Sequence, residues 1–178
     1  MKYIAVFCSA NELDDKYMQP AREFARLIAE KGYHLVWGGT DKGLMREVAS
    51  GVQAGGGKLV GVTLDIFKEF SRQNADEMIV AKTLGERKAT MLLRSDAVVV
   101  LVGGIGTLDE LTEVMELKKQ GHHNKAIVVL NTENFYDGLK VQLQKMKDDG
   151  FVLQSLDELV YFADEPGEAA EYIQKNFE

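Results

Sequence analysis

Arg87, Glu110 and two glycine clusters are the parts of this 178-residue sequence whose types and spacing could do chemistry. In "LVGGIGTLDE", residues 101–110, an apolar run ends in Gly103, Gly104 and Gly106; Thr107 follows, and Glu110 stands about one turn further into a segment with helical periodicity. Glycines let an anion approach the backbone closely, and a helix N-terminus offers unpaired N–H groups and the positive end of a dipole. A phosphate suits such a junction, with the Thr107 hydroxyl as a further donor or as the helix cap. The run lacks the Gly-Lys-Ser/Thr ending of a P-loop and the third glycine of the dinucleotide fingerprint, so a plain tight turn stands as the rival reading. "WGGTDKGLM", Trp37 to Met45, is a second strand–glycine–helix junction. "GERKATM", Gly85 to Met91, supplies Arg87 and Lys88, which could neutralise a phosphate or carboxylate, arginine as a bidentate fork. Periodicity leaves two readings open here. Arg87 and Lys88 fit a solvated helix surface equally well, and Asp109, Glu110, Glu113 and Glu116 fit the wet face of an amphipathic helix.

The elements that must position these residues alternate along the chain. Strands are expected at Tyr3–Cys8, Tyr33–Trp37, Lys58–Thr63, Glu77–Ala81, Asp96–Val102 and Ala126–Leu130, with a weaker one near Glu158–Phe162. Helices are expected at Asp14–Lys31, from Gly43, at Leu84–Arg94, Leu108–Gln120 and Tyr136–Asp149, and from Glu168. This order implies βαβ crossovers and an α/β, Rossmann-like three-layer sandwich, a mostly parallel sheet with helices on both faces. Such sheets bind ligands at the carboxyl ends of their strands, where both glycine clusters fall. No repeat or linker divides the chain, so residues 1–178 read as a single domain.

A net charge of -7 has the wrong sign for broad nucleic-acid binding. The first apolar run is too short for a membrane span and is followed by acidic residues without a cleavage pattern, so the expectation is a cytoplasmic protein with no membrane partner. Cys8 is the only cysteine, which excludes an internal disulfide and reads as a buried thiol ending a strand. His34 lies in a strand and His122-His123 in an exposed connection without a third ligand, so no metal is expected. Trp37 reads as a core aromatic at a strand end, with base stacking as its alternative.

Taken together, "GGTDKGLM", "ERKATM" and "GGIGTLDEL", in this order and at this separation, resemble the Lonely Guy (LOG) family of cytokinin-activating phosphoribohydrolases, many of whose members are labelled lysine decarboxylase-like. The resemblance covers about residues 3–150. It implies a homodimeric hydrolase without a cofactor that cleaves the N-glycosidic bond of a nucleoside 5'-monophosphate, such as AMP or a cytokinin riboside 5'-monophosphate. Arg87 and Glu110 fall on the family's catalytic positions. By the same resemblance Gly103, Gly104, Gly106 and Thr107 would hold the 5'-phosphate, and Gly38, Gly39, Gly43, Leu44, Met45 and Lys88 would contact the nucleotide. A non-catalytic carrier of nucleotide or molybdenum cofactor, sharing the fold and glycine loops, is the alternative; it has no chemical need of Arg87 and Glu110. A lysine decarboxylase would need a pyridoxal phosphate site with a Schiff-base lysine, for which no lysine here has the context. The chain departs from the family pattern at Val102, Gly85, Arg46 and Cys8-Ser9-Ala10-Asn11. Arg46 beside the nucleotide loop is expected to alter base choice or block the pocket.

Overall fold

β-branched and leucine residues dominate the strands because both faces of the sheet are covered. A computed structural model describes residues 1–178. Its strands are β1 (Tyr3–Phe7), β2 (His34–Trp37), β3 (Leu59–Leu64), β4 (Glu77–Ala81), β5 (Ala97–Val100), β6 (Ile127–Leu130) and β7 (Tyr161–Ala163). They pair in parallel throughout, in the order β4-β3-β2-β1-β5-β6-β7. The helices are α1 (Asp15–Glu30), α2 (Gly43–Ala54), α3 (Leu84–Leu93), α4 (Ile105–Lys119), α5 (Asp137–Asp148), α6 (Leu156–Leu159) and α7 (Pro166–Lys175).

Alternate side chains of each strand feed two cores. Ile4, Val6, Leu35, Trp37 and Val99 pack under Phe24 and Ile28 of α1, Val48 of α2 and Ile173 of α7. Ala5, Phe7, Val36, Val98 and Val100 pack under Met91 of α3, Leu111 and Val114 of α4 and Leu143 of α5. Trp37 is wholly buried, and its indole N–H donates to the Thr40 carbonyl at 3.3 Å, which fixes it as core rather than as a base platform. No helix is long and apolar enough to cross a membrane.

Most boundaries lie within two residues of the sequence expectations, and three of the differences have a clear local reason. Helix α4 begins at Ile105 rather than Leu108, so Gly106 and Thr107 belong to its first turn; Gly104 occupies the cap position and Thr107 does not cap. Leu156–Leu159 closes into one helical turn, which displaces the last strand from Glu158–Phe162 to Tyr161–Ala163 beside Val128–Leu130. The terminal helix starts at Pro166, not Glu168, because Glu165 and Glu168 form a reciprocal capping box around a proline in the first turn. A 3₁₀ turn, Asp65–Phe70, which the strand–helix alternation did not anticipate, follows β3.

Gly43 carries a structural demand that decides the geometry of the site. Its φ is +52°, and a Cβ there would run into the backbone carbonyl of Asn11. The β1–α1 loop therefore rests directly on the start of α2. Gly43→Ala combines a left-handed backbone with a clash against main chain, and is expected to cost about 2 kcal/mol or more of stability. Urea denaturation checks this; an unchanged midpoint would mean that the loop simply moves away.

Candidate active site

Strands β1 and β5 are neighbours from which the chain departs to opposite faces, the topological switch point of the sheet. Their pairing continues past the strands: Leu101 N–H donates to the Phe7 carbonyl at 2.9 Å and Ser9 N–H to the Val102 carbonyl at 3.2 Å. Cys8–Asn11 and Leu101–Gly104 are thereby held side by side. Met45 N–H donates to the Ser9 carbonyl at 3.3 Å, and Gly43 N–H to the Glu12 carboxylate at 3.3 Å, tying the start of α2 to the same loop. Over these strand ends opens a cavity of about 550 Å³. Its lining comes from four places: Cys8–Asn11 after β1; Gly38, Thr40, Lys42 and Met45 after β2; Phe67 and Phe70 after β3; and Leu84, Arg87, Gly104, Gly106, Thr107 and Glu110 from α3 and α4.

The local sequence explains how Arg87 and Glu110 meet. Thr83 caps α3 by accepting from Glu86 N–H at 3.1 Å, while the Glu86 carboxylate accepts from Lys82 N–H at 2.8 Å. One turn further in, Arg87 reaches over the end of β3, where its Nε donates to the Val62 carbonyl at 2.8 Å and its Nη1 to Glu110 Oε1 at 2.7 Å. Gly38 leaves the space this guanidinium needs, since a Cβ would collide with Arg87 Nη2. On α4, Thr107 and Glu110 are three residues apart and share one face, and both are buried, whereas Asp109 and Glu116 are exposed. Glu110 is therefore not part of the wet face. Burial pushes its carboxyl above the ordinary range, and the Arg87 charge and hydrogen bond pull it partly back. Burial likewise pushes the Cys8 thiol far up, with Glu110 adding to the effect, so Cys8 is an inert neutral thiol in the cavity wall.

The sequence-derived residues divide clearly. Gly38, Met45, Arg87, Gly104, Gly106, Thr107 and Glu110 line the cavity. Lys88 does not: its ammonium pairs with Asp109 at 2.9 Å and with Glu113, joining α3 to α4. Leu44 is wholly buried in the core, and Gly39, at φ +78°, packs against Met78 and Thr63. Gly43 supports the Asn11 loop, and Gly103 lines a smaller adjoining cavity with Leu13, Tyr17 and Phe135; a Cβ at Gly103 would strike Thr107. Residues that the sequence did not single out are Thr40, Lys42, Phe67, Phe70 and Leu84, while the Cys8–Asn11 loop, marked only as a departure from the family pattern, forms the cavity wall after β1. Only the apolar spacing in "DIFKEF" hinted at the two phenylalanines.

A family model described as "Possible lysine decarboxylase" matches residues 45–173. The cytokinin riboside 5'-monophosphate phosphoribohydrolase of Mycobacterium tuberculosis is 40% identical over 151 residues, 84% of this chain and 81% of that protein. Its counterpart from Mycobacterium marinum is 37% identical over 163 residues, 90% and 87% of the two chains. The chain belongs to the LOG family. Among solved structures, the molybdenum cofactor binding protein of Rippkaea orientalis superposes with a TM-score of 0.78 over 99% of this chain and 98% of that one, at 21% identity, a likeness of fold.

Of the departures from the LOG pattern, Arg46 does not block the pocket. Its guanidinium turns out of the cavity to Glu12 at 2.9 Å and Glu47 at 3.5 Å, bracing the β1–α1 loop against α2 without obstructing the pocket. Val102 is buried beneath the glycine turn. The histidines are likewise placed: His123 is half-buried, with Nε2 against the Val114 carbonyl at 3.0 Å and Nδ1 accepting from Lys125 N–H at 3.2 Å, rather than in an exposed pair. That arrangement puts the ring proton on Nε2. No group of three or more His, Cys, Asp or Glu is placed to hold a metal ion.

Proposed function

We propose that this protein is a nucleoside 5'-monophosphate phosphoribohydrolase, cleaving AMP or a cytokinin riboside 5'-monophosphate to free base and ribose 5-phosphate. The observation that carries the reading is the buried Arg87–Glu110 pair beside the uncapped N-terminus of α4 in one cavity. The names of its 37–40% identical relatives support the same activity. In this reading the free N–H groups of the first turn of α4, with Gly104, Gly106 and Thr107, hold the 5'-phosphate. Glu110 then lies beside the sugar, where a carboxylate stabilises oxocarbenium character and takes a proton from the attacking water. Arg87 orients that carboxylate and opposes its protonation. Gly38 and Met45 bound the space for the nucleotide, and no cofactor is called for. A carrier of the same fold would leave this buried ion pair without a task.

Incubation with AMP, N6-isopentenyl-AMP, CMP and GMP, followed by chromatography of free base and ribose 5-phosphate, tests the activity. Base release from at least one nucleotide is expected; tight binding without release would favour the carrier. The raised Glu110 carboxyl has a further consequence. Because the base must be ionised, kcat/KM should fall as pH drops through a value above the ordinary carboxylate range, which is about 4.3 for glutamate. A pH–rate profile flat down to the usual carboxylate range would remove Glu110 as that base.

The family resemblance also carries a cytoplasmic homodimer. Leu84 and Ile105, exposed at the starts of α3 and α4 beside the cavity, are 58% and 84% accessible and would gain from cover by a second copy. Light scattering should then give about twice the 19.8 kDa of one chain. A species of single-chain mass at micromolar concentration would sink the dimer.

A further inference from the structure

Across the strand ends the cavity runs in the order β5, β1, β2, β3, from the first turn of α4 over β5 to Phe67 and Phe70 beyond β3. Three strand spacings separate its ends, roughly 14 Å. A nucleotide anchored by its phosphate at α4 therefore places its sugar near Glu110 and its base on the β2–β3 side.

Of the two cations that line the cavity, Lys42 and Arg87, only the first is free of an ion pair, and it stands on that side. Lys42, the residue before α2, holds its ammonium 3.7 Å from the centroid of the Phe70 ring, and both line the cavity. Nearby basic groups are already paired: Arg87 with Glu110, Lys88 with Asp109 and Glu113, Arg46 with Glu12, and Arg72 with Asp41 at 2.7 Å. Lys42 makes no ion pair. The other lining donors are poor acids: the hydroxyls of Ser9, Thr40 and Thr107, the amide of Asn11 and the buried Cys8 thiol. An arginine does not give up its proton.

We infer that Lys42 is the catalytic acid for the departing base, an assignment that rests on the phosphoribohydrolase reading. The N-glycosidic bond breaks and its electron pair leaves with the base. Water oxygen bonds to the anomeric carbon, its proton passes to the Glu110 carboxylate, and Lys42 gives one proton to a ring nitrogen of the base. After release Glu110 loses its proton to solvent and Lys42 regains one, so the net reaction is nucleotide plus water to base plus ribose 5-phosphate. Phe70 keeps the ammonium at the base end of the cavity by its ring quadrupole.

The test compares AMP with N7-methylguanosine 5'-monophosphate, whose cationic base departs without taking a proton. Lys42→Met should lower kcat on AMP by about 10²–10⁴-fold, the usual worth of general acid catalysis, and kcat on the methylated nucleotide by less than about tenfold. Lys42→Arg keeps the charge without a transferable proton and should leave AMP hydrolysis slow. Equal loss on both nucleotides, no loss on either, or full recovery with arginine would overturn the assignment while wild-type base release leaves the phosphoribohydrolase reading intact. A wild-type protein that releases base from none of these nucleotides, N6-isopentenyl-AMP, CMP and GMP included, overturns both. Lys42 is exposed, so nucleotide binding by each variant reports directly that the site has folded.

Discussion

Glu110→Gln is expected to lower kcat for base release by about a thousandfold while leaving nucleotide affinity within a few-fold of the wild type. Glutamine keeps the shape of the side chain and can still accept from Arg87 Nη1, so the cavity wall is preserved. What it loses, in the proposed mechanism, is the negative charge beside the sugar and the capacity to take a proton from water. Both act mainly in the transition state, and groups of that kind affect kcat more than KM. Affinity should survive because, in the proposed reading, the phosphate is held by backbone N–H groups of Gly104 to Thr107, three to six residues before Glu110. Single-turnover kinetics with calorimetric binding separate the two effects. Undiminished turnover would remove Glu110 from the chemistry; a parallel collapse of binding would make it a structural group.

The sequence made the sheet and the glycine junctions at its strand ends legible because those depend on short-range signals. Glycine after an apolar run marks the ends of β2 and β5. Roles that depend on which way neighbouring side chains turn were not readable. Arg87 and Lys88 are adjacent and chemically alike, yet α3 directs one into the cavity and the other to Asp109 on α4. Of the four acidic residues on α4, only packing against β1 and β5 decides that Glu110 is the buried one. The start of α4 was misjudged because Gly104, Ile105 and Gly106 are poor helix formers, and tertiary position overrides their propensity. Arg46 illustrates the same limit: its partner Glu12 lies 34 residues away, brought close only because Gly43 lets the β1–α1 loop touch α2.

Arg87→Met should be the most destabilising single change at the site, and its cost should depend on pH in a defined direction. Removing one partner of a buried ion pair costs about 3–5 kcal/mol, because the other charge is left without compensation. Here that charge is Glu110, with its side chain 8% exposed. Arg87 now opposes the effect of burial, so its loss raises the folded-state carboxyl still further above its unfolded value. The penalty is therefore full at neutral and higher pH, where Glu110 must ionise, and shrinks as pH falls through the raised value and the group becomes neutral. Adding Glu110→Gln to Arg87→Met should recover most of the loss at neutral pH. About 1 kcal/mol should remain at every pH, since the Val62 carbonyl has lost its donor regardless of charge. Urea denaturation of the single and double variants across the acid range measures each part. A pH-independent loss that the second substitution does not relieve would mean that Arg87 holds the site by packing against Gly38 rather than by its charge.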